Sequence, residues 1–423
     1  MKWVYLFCSV MLLASCAMSE TDIKKRDWYL NYAAYYYDGQ RYPQAEEMAI
    51  KAKEIDPENL KADLLLAFIY HFSGKYRHAE TKFSEILENN PSHVKAQHGM
   101  AINYFQQGNQ KRKIGNEYEG EPETDFTQSL KHFLKASESA DSVDWNPVFN
   151  YQISLVYIQL GLDHFSYYQR LLELQKTMKN QSDTPSETPK TAPQDPAQKE
   201  AEDRLLKMVL ETAKDEGKTL ELAFESLAQK HFIKGKTQFS LAVRYLETHE
   251  QFLTAQVTTL DQELATTAKN TTFSYEQKHE GQQKIQDRRE KLIEARTKAV
   301  STIGMLQFRL QQFDEALATL QRIPQFDPNN PTVHLNTGLA LIRKAEQEQE
   351  RIQDIQQKGG IDPATLQTRS DLVDGLFAKA QDELNLYLAK QQVGYPQMIL
   401  MVKNVLSNLE NRHTIPNKVQ NNS

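Results

Sequence analysis

Residues 64 to 72 read LLLAFIYHF, apolar or aromatic on nearly every side of a helix. A surface helix needs one wet face, and nine residues are too few for a bilayer, which takes about 20. Protein has to cover both sides. Farther along, SLAVRYLETHEQFLTAQVTTLDQEL from residue 240 is amphipathic at helical spacing, whereas YEQKHEGQQKIQDRREKLIEARTKAV from residue 275 is mostly polar. Together they predict long, hairpin-like helices in a middle region, residues 204–296. Before it, NQSDTPSETPKTAPQDPAQKEAED carries four prolines among Ser, Thr and charged residues. Such a stretch has no face to bury and predicts a disordered, flexible linker over residues 177–203.

The apolar pattern repeats every 34 residues near the N-terminus. Ala33, Ala67 and Ala101 share the spacing, as do Tyr36, Tyr70 and Tyr104, and it recurs in the pairs Ala45 and Ala79, Pro57 and Pro91, and Gly74 and Gly108. Residues 60–93 place Leu66, Ala67, Tyr70, Ala79, Phe83 and Pro91 in an order that resembles the tetratricopeptide repeat (TPR), with Asp63 where that repeat opens on an aromatic. Small residues let two helices approach, Tyr70 and Phe83 fill the seam, and Pro91 stops the second helix. Residues 26–59 form an earlier unit through Tyr29, Ala33, Tyr36, Ala45, Ala52 and Pro57.

A third unit opens at Val94, but Tyr104 and Phe133 are 29 residues apart where Tyr70 and Phe83 are 13 apart, so its helices are separated by an insertion near 109–124. A degenerate fourth unit from Pro147, with Tyr157 and Gly161, suits a cap. The repeat returns at Gly304, Ala316, Leu320 and Pro328, with intervals of 12, 4 and 8. A further unit opens with Leu335 and Gly338, and its second helix begins only near Ala380, after an insertion near 344–373. The resemblance implies an all-α fold of antiparallel helix pairs stacked into a superhelical solenoid. Its two arrays, 26–176 and 297–405, are joined by the linker and the long middle helices, and a polar tail follows at 406–423.

In TPR proteins a defined set of first-helix positions lines the inner groove. Carried onto this chain, they are Leu30, Ala34 and Tyr37; Leu64, Phe68, His71 and Phe72; His98, Ile102 and Phe105; and Tyr151, Leu155 and Ile158. Burying one such apolar side chain is worth about 1.5–3 kcal/mol, and contiguous apolar patches mark interaction sites. Three readings follow: the stripe is ordinary core between repeats, another segment of the chain fills it, or a partner's hydrophobic helix or extended peptide docks there. TPRs that clamp a C-terminal carboxylate need Asn and Lys in the groove. The central position here holds Ala34, Phe68, Ile102, Leu155, Met305 and Leu339, which excludes that subtype.

MKWVYLFCSVMLLASC supplies Lys2, an apolar stretch from Trp3 to Leu13 and then small residues, a signal peptide over 1–15 rather than a membrane span. Leu13-Ala14-Ser15-Cys16 resembles the lipobox of bacterial lipoproteins, which implies acylation at Cys16 and a lipidated tether over 16–25. Ala17 in place of Asp implies the outer membrane, with the polypeptide facing the periplasm. Cys8 falls in the removed segment, so one cysteine remains and no internal disulfide forms.

Composition narrows function further. Fifty Lys and Arg against 56 Asp and Glu give a net charge of -6 without a basic field, so no nucleic-acid partner is expected. GKT occurs at Gly217 and Gly235, but a phosphate loop needs a glycine five residues earlier, where Thr212 and Lys230 stand. His249 and His279 lack the second histidine of a zinc helix, so no metal and no cofactor are expected. What remains is a membrane-anchored adaptor or scaffold that binds another envelope protein in pilus or secretion, outer-membrane assembly or peptidoglycan machinery. The alternatives are a hydrolase with its site in 204–296, or a self-assembling structural protein.

Overall fold

The computed structural model describes residues 18–113, 122–140, 146–183, 196–269, 274–358, 362–390 and 396–414. The signal peptide and Cys16 lie outside these residues, as do 114–121 of the first insertion and 184–195 of the Pro-rich stretch; the tether expected over 16–25 is corrected at its far end, where a helix capped by Ser19 already begins at Glu20. The described residues are all α, in fourteen helices with no strand. They form two compact units, Met1–Gly235 and Lys236–Ser423.

The first unit is a ladder of antiparallel pairs: α1 (Glu20–Asp38) with α2 (Tyr42–Ile55), α3 (Leu60–Phe72) with α4 (Tyr76–Asn89), and α5 (Val94–Lys113) with α6 (Pro122–Ser139). These pairs are of the TPR type, and the small residues sit where the repeat requires them. Ala33, Ala45 and Ala49 pack on Leu66 and Ile69, and Ala67 and Ala79 pack with Phe83, Ile86, Ala96 and Met100. Asn59 caps α3 by accepting from the Ala62 N–H at 3.0 Å. Asp63, in the place of the usual aromatic, instead takes Lys53 of α2 at 2.7 Å. Of the two glycines that matched in sequence, Gly74 (φ 79°) makes the left-handed turn between α3 and α4. Gly108 lies inside α5, where a Cβ would stand 2.8 Å from the Phe126 ring.

The predicted fourth cap is one long helix, α7 (Asn146–Asp183). With α8 (Pro196–Glu216) and the start of α9 (Leu220–Lys269), it builds a separate apolar cluster of Leu171, Leu205, Val209, Phe224 and Leu227. The linker expected over 177–203 is corrected at both ends. Helix α7 runs through 177–183, and α8 begins at Pro196, a residue that suits a first helical position because its missing N–H has no partner there anyway.

In the second unit, α10 (Tyr275–Arg309) pairs with α11 (Phe313–Leu320), and α12 (Pro331–Lys358) pairs with α13 (Pro363–Lys390). A Cβ at Gly304 would meet Leu320 at 2.8 Å, and one at Gly338 would meet Leu384 at 2.8 Å, with the Ala316 and Ala380 carbonyls close behind. The same contact recurs, and the inserted residues simply lengthen the arms of the α12–α13 hairpin. Helix α14 (Pro396–Thr414) buries Val402, Leu406 and Leu409 at helical spacing against α13. The polar tail expected from 406 therefore starts later, because Leu406 and Leu409 belong to the core.

Candidate partner-binding groove

The expected groove positions lie on α1, α3, α5 and α7, and a polar or aromatic tie joins each neighbouring pair. Tyr37 of α1 meets Phe72 of α3 edge to face at 5.7 Å. His71 Nδ1 of α3 donates to Asn103 Oδ1 of α5 at 3.0 Å, and Asn103 Nδ2 donates to the Tyr76 carbonyl at 2.9 Å. His98 Nε2 of α5 donates to Gln152 Oε1 of α7 at 3.0 Å.

The predicted groove residues differ in exposure. Phe72 is 49% exposed. Leu30, Tyr37, Leu64, Phe68, His98, Ile102, Phe105, Tyr151 and Leu155 are half-buried, as are Ala34 and Ile158. His71 needs correction: at 5% exposure it is buried in the seam between α3 and α5, so it positions the wall rather than facing the groove. Burial holds His71 below the usual histidine range against the opposing effect of Asn103. His98 is held down likewise, with Gln152 opposing. Both imidazoles are neutral at pH 7, and the wall carries no charge from them.

Several ring contacts show how far the stripe is core. Phe68 lies edge-on to the fully buried Phe83 at 5.2 Å, and Phe105 lies against Phe126 at 5.6 Å. His98 touches Phe133 and Phe149. Phe68, Phe105 and His98 thus pack partly on the second helix of their own repeats, with His98 also reaching Phe149 of α7, and the partly exposed remainder of the stripe is the expected groove floor. Asn103 and Gln152, which order this floor, have no counterpart in the repeat pattern and left no sequence signal. A second group that sequence reasoning missed is Trp28, Tyr32 and Tyr35, exposed on α1 at i, i+4 and i+7. That spacing was readable.

Outside the groove, His164 and His231 pair through their Nδ1 atoms at 3.1 Å between α7 and α9, both buried. In the second unit, Glu250 accepts from Arg296 at 2.8 Å and from Arg322 at 2.9 Å. Its burial would push the carboxyl up, but the two guanidiniums and Thr254 together hold it below the usual range. This clamp ties α9 to α10 and to the turn after α11. Among the described residues, no group of three or more His, Cys, Asp and Glu side chains could hold a metal, and no helix is long and apolar enough to cross a membrane. An array of TPR-type pairs is in general a protein-interaction scaffold, because stacking leaves an extended concave surface.

No family model matches the chain, and no curated protein matches it. Among solved structures it is similar to a thermophilic TPR protein of Thermus thermophilus, with 12% identity over 75% of this chain and 98% of that one and a TM-score of 0.31. The TPR2AB-domain:pHSP90 complex of yeast Sti1 gives 11% identity over 91% and 98%, with a TM-score of 0.27. PilF of Pseudomonas aeruginosa gives 10% over 93% and 92%, with a TM-score of 0.25. At these scores no function carries over from them.

Proposed function

We propose that this chain is a lipid-anchored TPR adaptor of the bacterial envelope. Acylated at Cys16 and held at the outer membrane facing the periplasm, it seats an apolar helix or extended segment of another envelope protein on the inner wall of its first array. Its role is to support the assembly or localisation of an envelope complex. The observation that carries this reading is Phe72, half exposed beside Tyr37 on a floor that continues through Leu64, Phe68, Ile102 and Phe105. An uncharged, apolar floor of this kind suits an apolar segment and repels a charged one.

Phe72→Glu tests the groove without cutting into the core, which Phe68→Glu would do through Phe83. Burying one aromatic ring in an interface is worth about 1.5–3 kcal/mol, or roughly 10- to 100-fold in affinity. The variant should lose co-purification of the envelope partner and keep the circular dichroism of the wild type. Retention of the partner, or loss of helix, contradicts the reading. Cys16→Ser tests the anchor separately and should move the protein from the membrane fraction to the soluble periplasmic fraction.

A further inference from the structure

The outermost helix of a stacked array ordinarily presents a polar outer face to water. Helix α1 does the opposite. Trp28 is 50% exposed, Tyr32 41% and Tyr35 65%, and the Trp28 and Tyr32 rings lean against each other at an interplanar angle of 40° with centroids 4.3 Å apart. Lys24 and Lys25, both exposed, continue the same strip toward the N-terminus, with Lys24 also paired to Glu20 at 2.6 Å. Ala33, buried against α2 and α3, lies away from this strip. Tyr37, nine positions after Trp28, falls about 180° around the helix at 100° per residue, so the aromatic strip and the groove occupy opposite faces of α1.

From these observations we infer that the outer face of α1 rests on a bilayer surface, with Trp28, Tyr32 and Tyr35 in the headgroup layer. The inference rests on the proposed anchor at Cys16, and it says how that anchor orients the array. Three residues, 17–19, separate Cys16 from α1, a span of at most about 14 Å, so an acylated Cys16 keeps the helix within reach of the lipid surface. Trp and Tyr are the side chains suited to that layer, since each joins an apolar ring to a polar group that stays wet. The two lysines on the strip meet anionic headgroups. A helix lying in this plane sinks ~5–10 Å, which covers the rings and leaves the groove on the opposite face open to the aqueous side. A second copy of the chain, or a partner protein, would cover the same strip without lipid contact.

Trp28 is its own reporter. The chain has three tryptophans, at positions 3, 28 and 145, so Trp3→Phe with Trp145→Phe leaves one indole in the full-length protein. This protein, produced in acylating cells, is reconstituted into vesicles of phosphatidylethanolamine and phosphatidylglycerol with or without bromine on the acyl chains. Vesicle flotation is measured alongside Trp28 fluorescence. The inference expects flotation, a blue shift of Trp28 on reconstitution and quenching by the brominated lipid. Adding Tyr32→Gln and Tyr35→Gln should reverse both optical changes while flotation persists, whereas adding Phe72→Glu should leave both unchanged. Flotation with an unshifted, unquenched Trp28 overturns the inference and leaves the anchor standing; dimerisation on sedimentation in that case assigns the strip to a second copy. If Cys16→Ser floats as well as the parent, the acyl anchor falls and Trp28 quenching alone decides. A chain that neither floats nor shows quenching overturns both.

Discussion

Tyr37 on α1 and Phe72 on α3 meet edge to face, ring centroids 5.7 Å apart at an interplanar angle of 72°, and join two neighbouring helices of the inner wall. Burial, with Tyr42 and Asp38 adding, pushes the Tyr37 phenol up to about 12, so it stays neutral across the physiological range. Such a pair contributes about 0.5–1.5 kcal/mol beyond the area it buries. Half of Phe72 already stands in water, so Phe72→Ala should cost about 1–2 kcal/mol in all. The cost would appear as a lower urea midpoint by circular dichroism, with unchanged helix in the absence of urea. Collapse of the first array would instead place Phe72 in the core.

Asn103 is fully buried and serves two partners, His71 and the Tyr76 carbonyl. Asn103→Leu leaves a donor and an acceptor unsatisfied at once, each worth about 1–3 kcal/mol. The loss should exceed that of Phe72→Ala and should sharply weaken protection of the α3 and α5 amides in hydrogen exchange. Equal stability of the two variants would show that this tie is dispensable.

Acid should weaken the first unit before its carboxylates titrate. Burial holds both His132 and His164 down to about 4, with Lys135 and Lys131 adding for the first and Lys234 for the second. The unfolded histidine titrates near 6.5. Between these values the unfolded chain binds more protons, so the stability these groups contribute is fully present above pH 6.5 and is lost as pH falls toward 4. The buried His164 accounts for up to about 3 kcal/mol of that loss, and the more accessible His132 for less. Urea midpoints measured from pH 7.5 to 4 should fall in this window, and a flat profile would contradict the assignment.

Gln40 (φ 57°) and Gln311 (φ 62°) hold left-handed backbone in the turns before α2 and α11, where Gly74 serves the corresponding turn before α4. Replacing either with Gly removes a side-chain clash worth roughly 1–2 kcal/mol, less the extra freedom of the unfolded chain. Gln40→Gly should therefore raise the midpoint by an amount equivalent to about 0.5–1 kcal/mol. Gly74→Gln should lower it; the opposite signs would count against strain at these turns.

What could be read from the sequence was whatever depends on helical period. The 34-residue spacing of Ala33, Ala67 and Ala101 marks close helix contacts, and all three side chains are fully buried. The Gly338 to Ala380 gap is a lengthened hairpin with the Gly304 contact preserved. Position alone did not settle burial. His71 occupies a groove position by count, yet Asn103 from the next repeat draws it into the seam, a pairing across 32 residues that no local pattern encodes. The Pro-rich stretch misled at its edges because proline opens a helix as readily as it ends one, and Pro196 does the former. The aromatic strip of α1 was visible in the letters. It carried meaning only once α2 and α3 were found to cover the other side of the helix.

A photo-reactive amino acid at position 72 asks whether the groove of the first array holds another envelope protein. Crosslinking is carried out in intact cells, with position 81, exposed on α4, as the control. Position 72 should give one discrete adduct that contains an apolar segment of an envelope protein, that disappears when Leu64→Glu is added, and that position 81 does not give. Adducts of equal yield and identity from both positions, or a position 72 that reacts only within its own chain, would contradict a partner in that groove.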